Sequence, residues 1–266
     1  LIVDADRFYP VGGINPRPPL FSWSLAIGAM ILQPFLGDDA VWWSMLALPA
    51  VYGALTILPV ASIARDHFGK AAGVIAAWLI AFMPAHVTHS TWGLADHDSF
   101  VMLFIVLGFM FYLRAVKYAG SERLVRTTSI RPLDLLRAMG AVAEQRKYAM
   151  SNAVLAGVAF ATASLGWKGF VVGPAILFLA YAAQVAINMF RRRDSTILST
   201  LFLTMLLTNL LIALPFYAHP QMNLMLDGSG LQPFLFILLF TIVMMYSTTG
   251  FRDKPWLLVL GTLAVG

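Results

Sequence analysis

Apolar runs, most of them near the length needed to cross a bilayer and the fourth and seventh short, recur along this chain. They lie at 41–63, 71–87, 100–113 (continuing toward 118), 153–167, 170–190, 197–217, 233–246 and from 256 onward. In hydrocarbon every backbone amide must be satisfied within its own segment, so such runs fold as helices of about 20 residues. The pattern predicts an all-α polytopic membrane protein. Composition agrees: 12% of residues are charged and 59% hydrophobic, where a soluble domain averages about 25% charged. Pro84 is placed to break the last turn of the second run. The run 20–36 is short and interrupted by Pro34, which predicts an interfacial or re-entrant helix rather than a full span. Two regions follow: an extracytoplasmic loop with an interfacial helix over 1–40, and transmembrane helices over 41–266. There is no cysteine, so disulfides and thiolate metal sites are excluded. No signal peptide is visible before the first run. The chain ends inside an apolar run at Gly266, which reads as a fragment of a longer protein.

Charge sets the orientation. Of the 18 Lys and Arg residues, only Arg7, Arg17 and Lys168 fall in one set of alternate loops. The rest sit in the other set: Arg65 and Lys70, the basic loop 114–150, Arg191 to Arg193, and Arg252 with Lys254. Lys and Arg accumulate on the cytoplasmic side, so the second set is cytoplasmic. The basic stretch includes Leu133, Leu136 and Met139 at helical spacing, which suits a helix on an anionic leaflet rather than a nucleic-acid site.

The opposite face then carries the acidic loop 88–99, which contains Asp96 and Asp98. Two carboxylates two positions apart face the same way only on an extended or looped backbone, because each helical residue turns about 100°. Such a pair suits a hard cation such as Mg²⁺ or Mn²⁺. From spacing alone the stronger reading is an N-cap by Asp98 or Ser99 for a helix beginning at Phe100, and one carboxylate can cap while the other binds. His97, between the acids, points away from them in an extended strand. His86 and His89 share a helix face, and zinc at that spacing would want a third ligand; otherwise they are interfacial. Trp42, Trp43 and Trp92 fit an aromatic belt. Lys168 beside Trp167 either snorkels or meets an anionic lipid headgroup. Gln184 and Asn188 read as helix–helix hydrogen-bond partners.

Several stretches together resemble one family. Phe8-Tyr9-Pro10-Val11-Gly12-Gly13 and Pro18-Pro19-Leu20-Phe21-Ser22-Trp23 look like the first extracytoplasmic loop of the catalytic subunit of oligosaccharyltransferase in its archaeal form. Leu55 to Val60, followed by Arg65 and Phe68 to Gly73, is similar to that family's next span and turn. Ser90 to Asp98 matches its second acidic motif, Gly-x-x-Asp-x-(Asp/Glu/His), and Ser164 to Gly169 resembles a later Trp-Gly turn. The resemblance implies a GT-C type transmembrane bundle. It also implies transfer of an oligosaccharide from a dolichol-type lipid-linked donor to Asn in an Asn-x-Ser/Thr acceptor polypeptide. It carries Asp96 and Asp98 over as catalytic, cation-holding residues, with Mn²⁺ or Mg²⁺ as cofactor at the extracytoplasmic face of the cell membrane. Lys168, Trp167 and His89 become candidate contacts to the lipid donor. The family's first catalytic aspartate should lie upstream of Leu1, and its glutamate loop and Trp-Trp-Asp motif beyond Gly266. Asp4 and Asp6 stand too close to Tyr9-Pro10 to replace that aspartate. Two other classes stay open: a glycosyltransferase using a lipid-phosphate sugar, and a transporter, which would want ionisable groups near the midplane.

Overall fold

The computed structural model describes residues 3–4, 13–14, 18–120, 132–191, 193–218 and 231–250. Readings that rest on Asp6, Arg7, Tyr9-Pro10, the segment 121–131, Arg252, Lys254 and the run from 256 lie outside those residues. So do those on the side chains of Asp4, Leu133, Leu136 and Met139. Near the start, β1 (Val3–Asp4) pairs antiparallel with β2 (Gly13–Ile14).

The other regular elements among the described residues are helical. α1 (Leu20–Leu36) passes through a 3-10 turn into α2 (Ala40–Phe68). Gly69, at φ 97°, reverses the chain into α3 (Lys70–Phe82), and Met83 then turns extended ahead of Pro84, so that α4 (Pro84–Thr88) is a separate piece. Proline disfavours the helical conformation in the residue before it. α5 (Asp98–Ala119), α6 (Pro132–Gln145), α7 (Lys147–Ser164), α8 (Val172–Phe190), α9 (Thr196–Tyr217) and α10 (Leu231–Gly250) complete the order. The stretch 114–150 is therefore mostly helix where it is described, shared among the end of α5, α6 and the start of α7.

Five helical segments among the described residues are long and apolar enough to cross a membrane, and the chain is a multi-pass membrane protein. α7 is not one of the five. It is held by small residues instead. Ala149, Ala153, Ala156 and Ala163 are fully buried, and a Cβ on Gly157 would stand 2.6 Å from the Met205 carbonyl of α9. Small residues let membrane helices approach closely. The same device seats Phe160, which is fully buried and fills the space left by Gly108 on α5 and Gly173 on α8. Gln184 donates to Asn188 within its own helix, and Asn188 donates to Ser195 ahead of α9, so the pair closes the α8–α9 turn rather than joining distant spans.

α2 and α5 run parallel. Tyr52 meets Phe100 edge to face at 5.2 Å, and the C-terminal ends are joined at Asp66. There Arg114 Nε donates to Asp66 Oδ2 at 2.7 Å and Lys117 Nζ donates to its carbonyl at 2.6 Å. Counting bases for orientation overlooked this acid. Its side chain is 19% exposed, so the pair is only partly screened by water. Asp66→Ala should cost about 1 kcal/mol, read as a lower thermal midpoint of the full-length protein in detergent. Asp66→Asn, which still accepts from Arg114, should cost less.

Candidate active site

The loop between α4 and α5 is built around Gly93. Its φ of 93° is a conformation that L side chains rarely adopt, and its N–H donates to the Leu46 carbonyl of α2 at 3.2 Å. Trp92 packs edge to face on Trp43 at 6.0 Å. The turn folds the chain back so that His89 stands opposite Asp96 and Asp98. His89 Nδ1 lies 2.7 Å from Asp98 Oδ2, and ligand atoms of His89, Asp96 and Asp98 all lie within 4.8 Å of one another. All three residues are exposed or half-buried, with His89 the most open.

α5 starts at Asp98, two residues earlier than the sequence suggests, and no side chain caps it. Asp98 sits in the first turn, where a negative charge meets the positive end of the helix dipole. Its carboxylate is directed to the histidines instead of to the backbone. Asp96 Oδ1 accepts the His97 backbone N–H at 2.7 Å, which pins the turn. His97 does not point away from the acids. Its Nδ1 is 2.7 Å from Asp96 Oδ1 and its Nε2 3.7 Å from Asp98 Oδ1, so both carboxylates flank the ring. The extended strand that would have turned it away is a bend here. His86 is engaged elsewhere: its Nε2 reaches the Gly53 carbonyl at 3.0 Å.

A cavity of about 620 Å³ opens beside the acids, walled by Phe21, Asp96, His97, Trp167 and Lys168 among others. α1 supplies one wall. Its Leu20 N–H donates to the Leu165 carbonyl at 2.8 Å, and Phe21 meets both Phe100 and His97 edge to face. Trp167 tilts against His97 at 6.2 Å. Of the candidate donor contacts, Trp167 and Lys168 thus share a cavity with Asp96, whereas His89 is not in its wall and belongs with the carboxylates. The sequence held one sign of this: Gly93 divides the stretch so that a turn there brings residue 89 opposite 96 and 98.

Two carboxylates and one imidazole make a donor set that fits a divalent cation. Donors about 2.1 Å from one small ion and at right angles to each other are about 3 Å apart, close to the 2.7 Å between His89 and Asp98. Carboxylate suits Mg²⁺ and Mn²⁺, and imidazole suits later transition metals.

The chain is an all-α membrane bundle of the GT-C glycosyltransferase class, with paired acids beside a cavity at one helical end. Within that class the chain belongs to the family described as oligosaccharyl transferase STT3, N-terminal, whose model matches residues 1–257. It is 28% identical over 216 residues to dolichyl-phosphooligosaccharide-protein glycotransferase 3 of Archaeoglobus fulgidus, covering 80% of this chain and 23% of that protein. Its fold matches the archaeal oligosaccharyltransferase AglB from Archaeoglobus fulgidus, solved in complex with an inhibitory peptide and a dolichol-phosphate. The TM-score is 0.75 at 21% identity, over 100% of this chain and 30% of that one. It also matches an Archaeoglobus fulgidus oligosaccharyltransferase solved with Zn and sulfate, with a TM-score of 0.71 at 21% identity, over 98% of this chain and 30% of the other. The chain spans about a quarter of the length of the curated relative and under a third of the solved chains.

Proposed function

We propose that the full-length protein moves an oligosaccharide from a dolichol-type lipid-linked donor to the Asn amide of Asn-x-Ser/Thr sequons, at the extracytoplasmic face of the cell membrane. The observation that carries this is the convergence of Asp96, Asp98 and His89 beside a cavity walled by Trp167 and Lys168, in a chain of this family. Orientation rests on the basic residues. Arg65, Arg114 and Lys117 lie together at the end of α2 and α5 opposite the acids, and bases gather on the cytoplasmic side.

Asp96 and Asp98 are the residues that would hold Mn²⁺ or Mg²⁺. When bound, the cation supplies Lewis-acid neutralisation of the departing phosphate. The chain's own groups do the rest. Lys168 brings a positive charge to the cavity where a lipid phosphate would sit, and Trp167 gives an amphipathic ring at the headgroup level. His97, flanked by both acids, fixes the Asp96 carboxylate in the cavity wall.

α1 fits an interfacial role. Tyr52 is level with Phe100, the third residue of α5, so about ten residues of α2, about 15 Å of helix, stand beyond the outer end of α5. α1 folds back along that projecting part, with Ser44 Oγ donating to the Leu25 carbonyl and Gly28 against Leu48. Ile27, Met30, Ile31 and Phe35 stay exposed on it, as they would on a helix bedded in the outer leaflet.

The test is transfer of glycan to an Asn-x-Thr peptide by the full-length protein, with Mn²⁺ present or chelated. Metal-dependent transfer supports the reading; sugar delivered to another acceptor and never to the peptide overturns it. In the same assay Lys168→Ala should raise the KM for the lipid donor about tenfold, as loss of one charge-assisted contact does, with a smaller change in kcat.

A further inference from the structure

We propose that His89 is itself a ligand of the divalent cation, through Nδ1, and that this nitrogen makes the site favour Mn²⁺ over Mg²⁺. The inference rests on the reading that Asp96 and Asp98 hold that cation. His89 lies just past α4, and its side chain is 58% exposed. At the edge of a membrane an open imidazole is free to face water or headgroups. It faces the carboxylates, with Nδ1 at 2.7 Å from Asp98 Oδ2 and Asp96 also within the cluster. The other two described histidines of this face are committed. His86 reaches the Gly53 carbonyl. His97 has its Nδ1 on Asp96 Oδ1, and its ring is packed between Phe21 and Trp167. Among the described histidines, His89 alone joins the mutually close ligand atoms.

The consequence is chemical. Mg²⁺ takes oxygen donors in near-ideal octahedral geometry and keeps several waters, so two carboxylates and solvent satisfy it. Mn²⁺ tolerates the same oxygens and binds nitrogen ligands more readily than Mg²⁺ does. Removing the imidazole should therefore affect the two ions unequally, whereas a histidine that only orients Asp98 would affect both alike.

The experiment uses purified full-length protein in detergent, stripped of metal and loaded with Mn²⁺ alone. Pulsed EPR reads ¹⁴N coupling to bound Mn²⁺, and titration with competing Mg²⁺ reads relative affinity. Wild type should show an imidazole ¹⁴N coupling that survives His97→Ala and vanishes in His89→Ala and His89→Gln. Mn²⁺ affinity should fall at least about tenfold in His89→Ala, and Mg²⁺ affinity by less than about threefold. The Gln variant keeps a polar side chain of similar reach, so loss of coupling there with an unchanged melting profile is not a folding effect. Coupling that persists in both His89 variants, or an equal fall for both ions, overturns the assignment and leaves His89 a positioning residue. Failure of wild type to bind Mn²⁺ overturns the underlying cation reading as well.

Discussion

On the proposed reading, glycan transfer by the full-length protein should fall on the order of 10³-fold in kcat/KM in Asp96→Ala and in Asp98→Ala. A carboxylate that holds the cation against a departing phosphate contributes several kcal/mol in the transition state, and about 4 kcal/mol corresponds to that factor. The two variants should differ in how they fail. Asp98 makes no cap to the helix it begins, so its removal leaves the backbone intact, and Asp98→Asn should cost nearly as much as Asp98→Ala because charge is what is lost. Asp96 also accepts the His97 N–H and holds the His97 ring. Asp96→Ala therefore loosens the turn as well, and Asp96→Asn should retain more of the wild-type melting profile. High Mn²⁺ should recover part of the Asn variants' rate by mass action. The check is kcat/KM for an Asn-x-Thr peptide over a range of Mn²⁺ concentrations. Undiminished transfer in both Ala variants would reduce these acids to residues that begin a helix.

Much of this was legible in the sequence for plain reasons. Membrane spans announce themselves by length and apolarity, and the break at Pro84 follows from proline's own sterics. Boundaries were less legible where something other than hydropathy decides them. α7 begins at Lys147 rather than 153 because alanines and a glycine, not bulky apolar residues, bury it between neighbours. The acids at 96 and 98 stood out as costly residues beside a bilayer. The histidines stood out as candidates too, but not their roles, because these depend on which way a nine-residue loop folds. A periodicity argument that treats the loop as a strand turns His97 the wrong way. The Asp66–Arg114 pair joins residues 48 apart, and no local pattern carries such a contact.

Gly53→Val in α2 should disable the site from outside it. A Cβ at position 53 would stand 2.2 Å from Ser90 Cβ and 2.6 Å from Ser90 Oγ, well inside contact distance. Ser90 is the neighbour of His89, and it is tied down. Its Oγ donates to the His86 carbonyl at 2.7 Å, while the His86 ring reaches back to the Gly53 carbonyl. Helix α2 thus seats the end of α4 through a position with no side chain. Ala already forces these atoms apart, and Val adds two methyl groups with a stiff χ1. Overpacking of this kind costs about 3 kcal/mol at its upper range. Because Ser90 follows His89 directly in the chain, its displacement reaches His89. Gly53→Val should therefore lower both the thermal midpoint and the Mn²⁺ affinity of the full-length protein, the latter about tenfold or more, with Gly53→Ala milder in the same direction. Adding Ser90→Gly to Gly53→Ala should restore metal binding, since it removes the atoms that clash. Gly140→Ala in α6, where a Cβ meets nothing within 4 Å, should leave metal binding unchanged and stabilise its helix by up to about 1 kcal/mol. Mn²⁺ binding that is equal in wild type and Gly53→Val would mean that α2 does not hold the His89 side of the site.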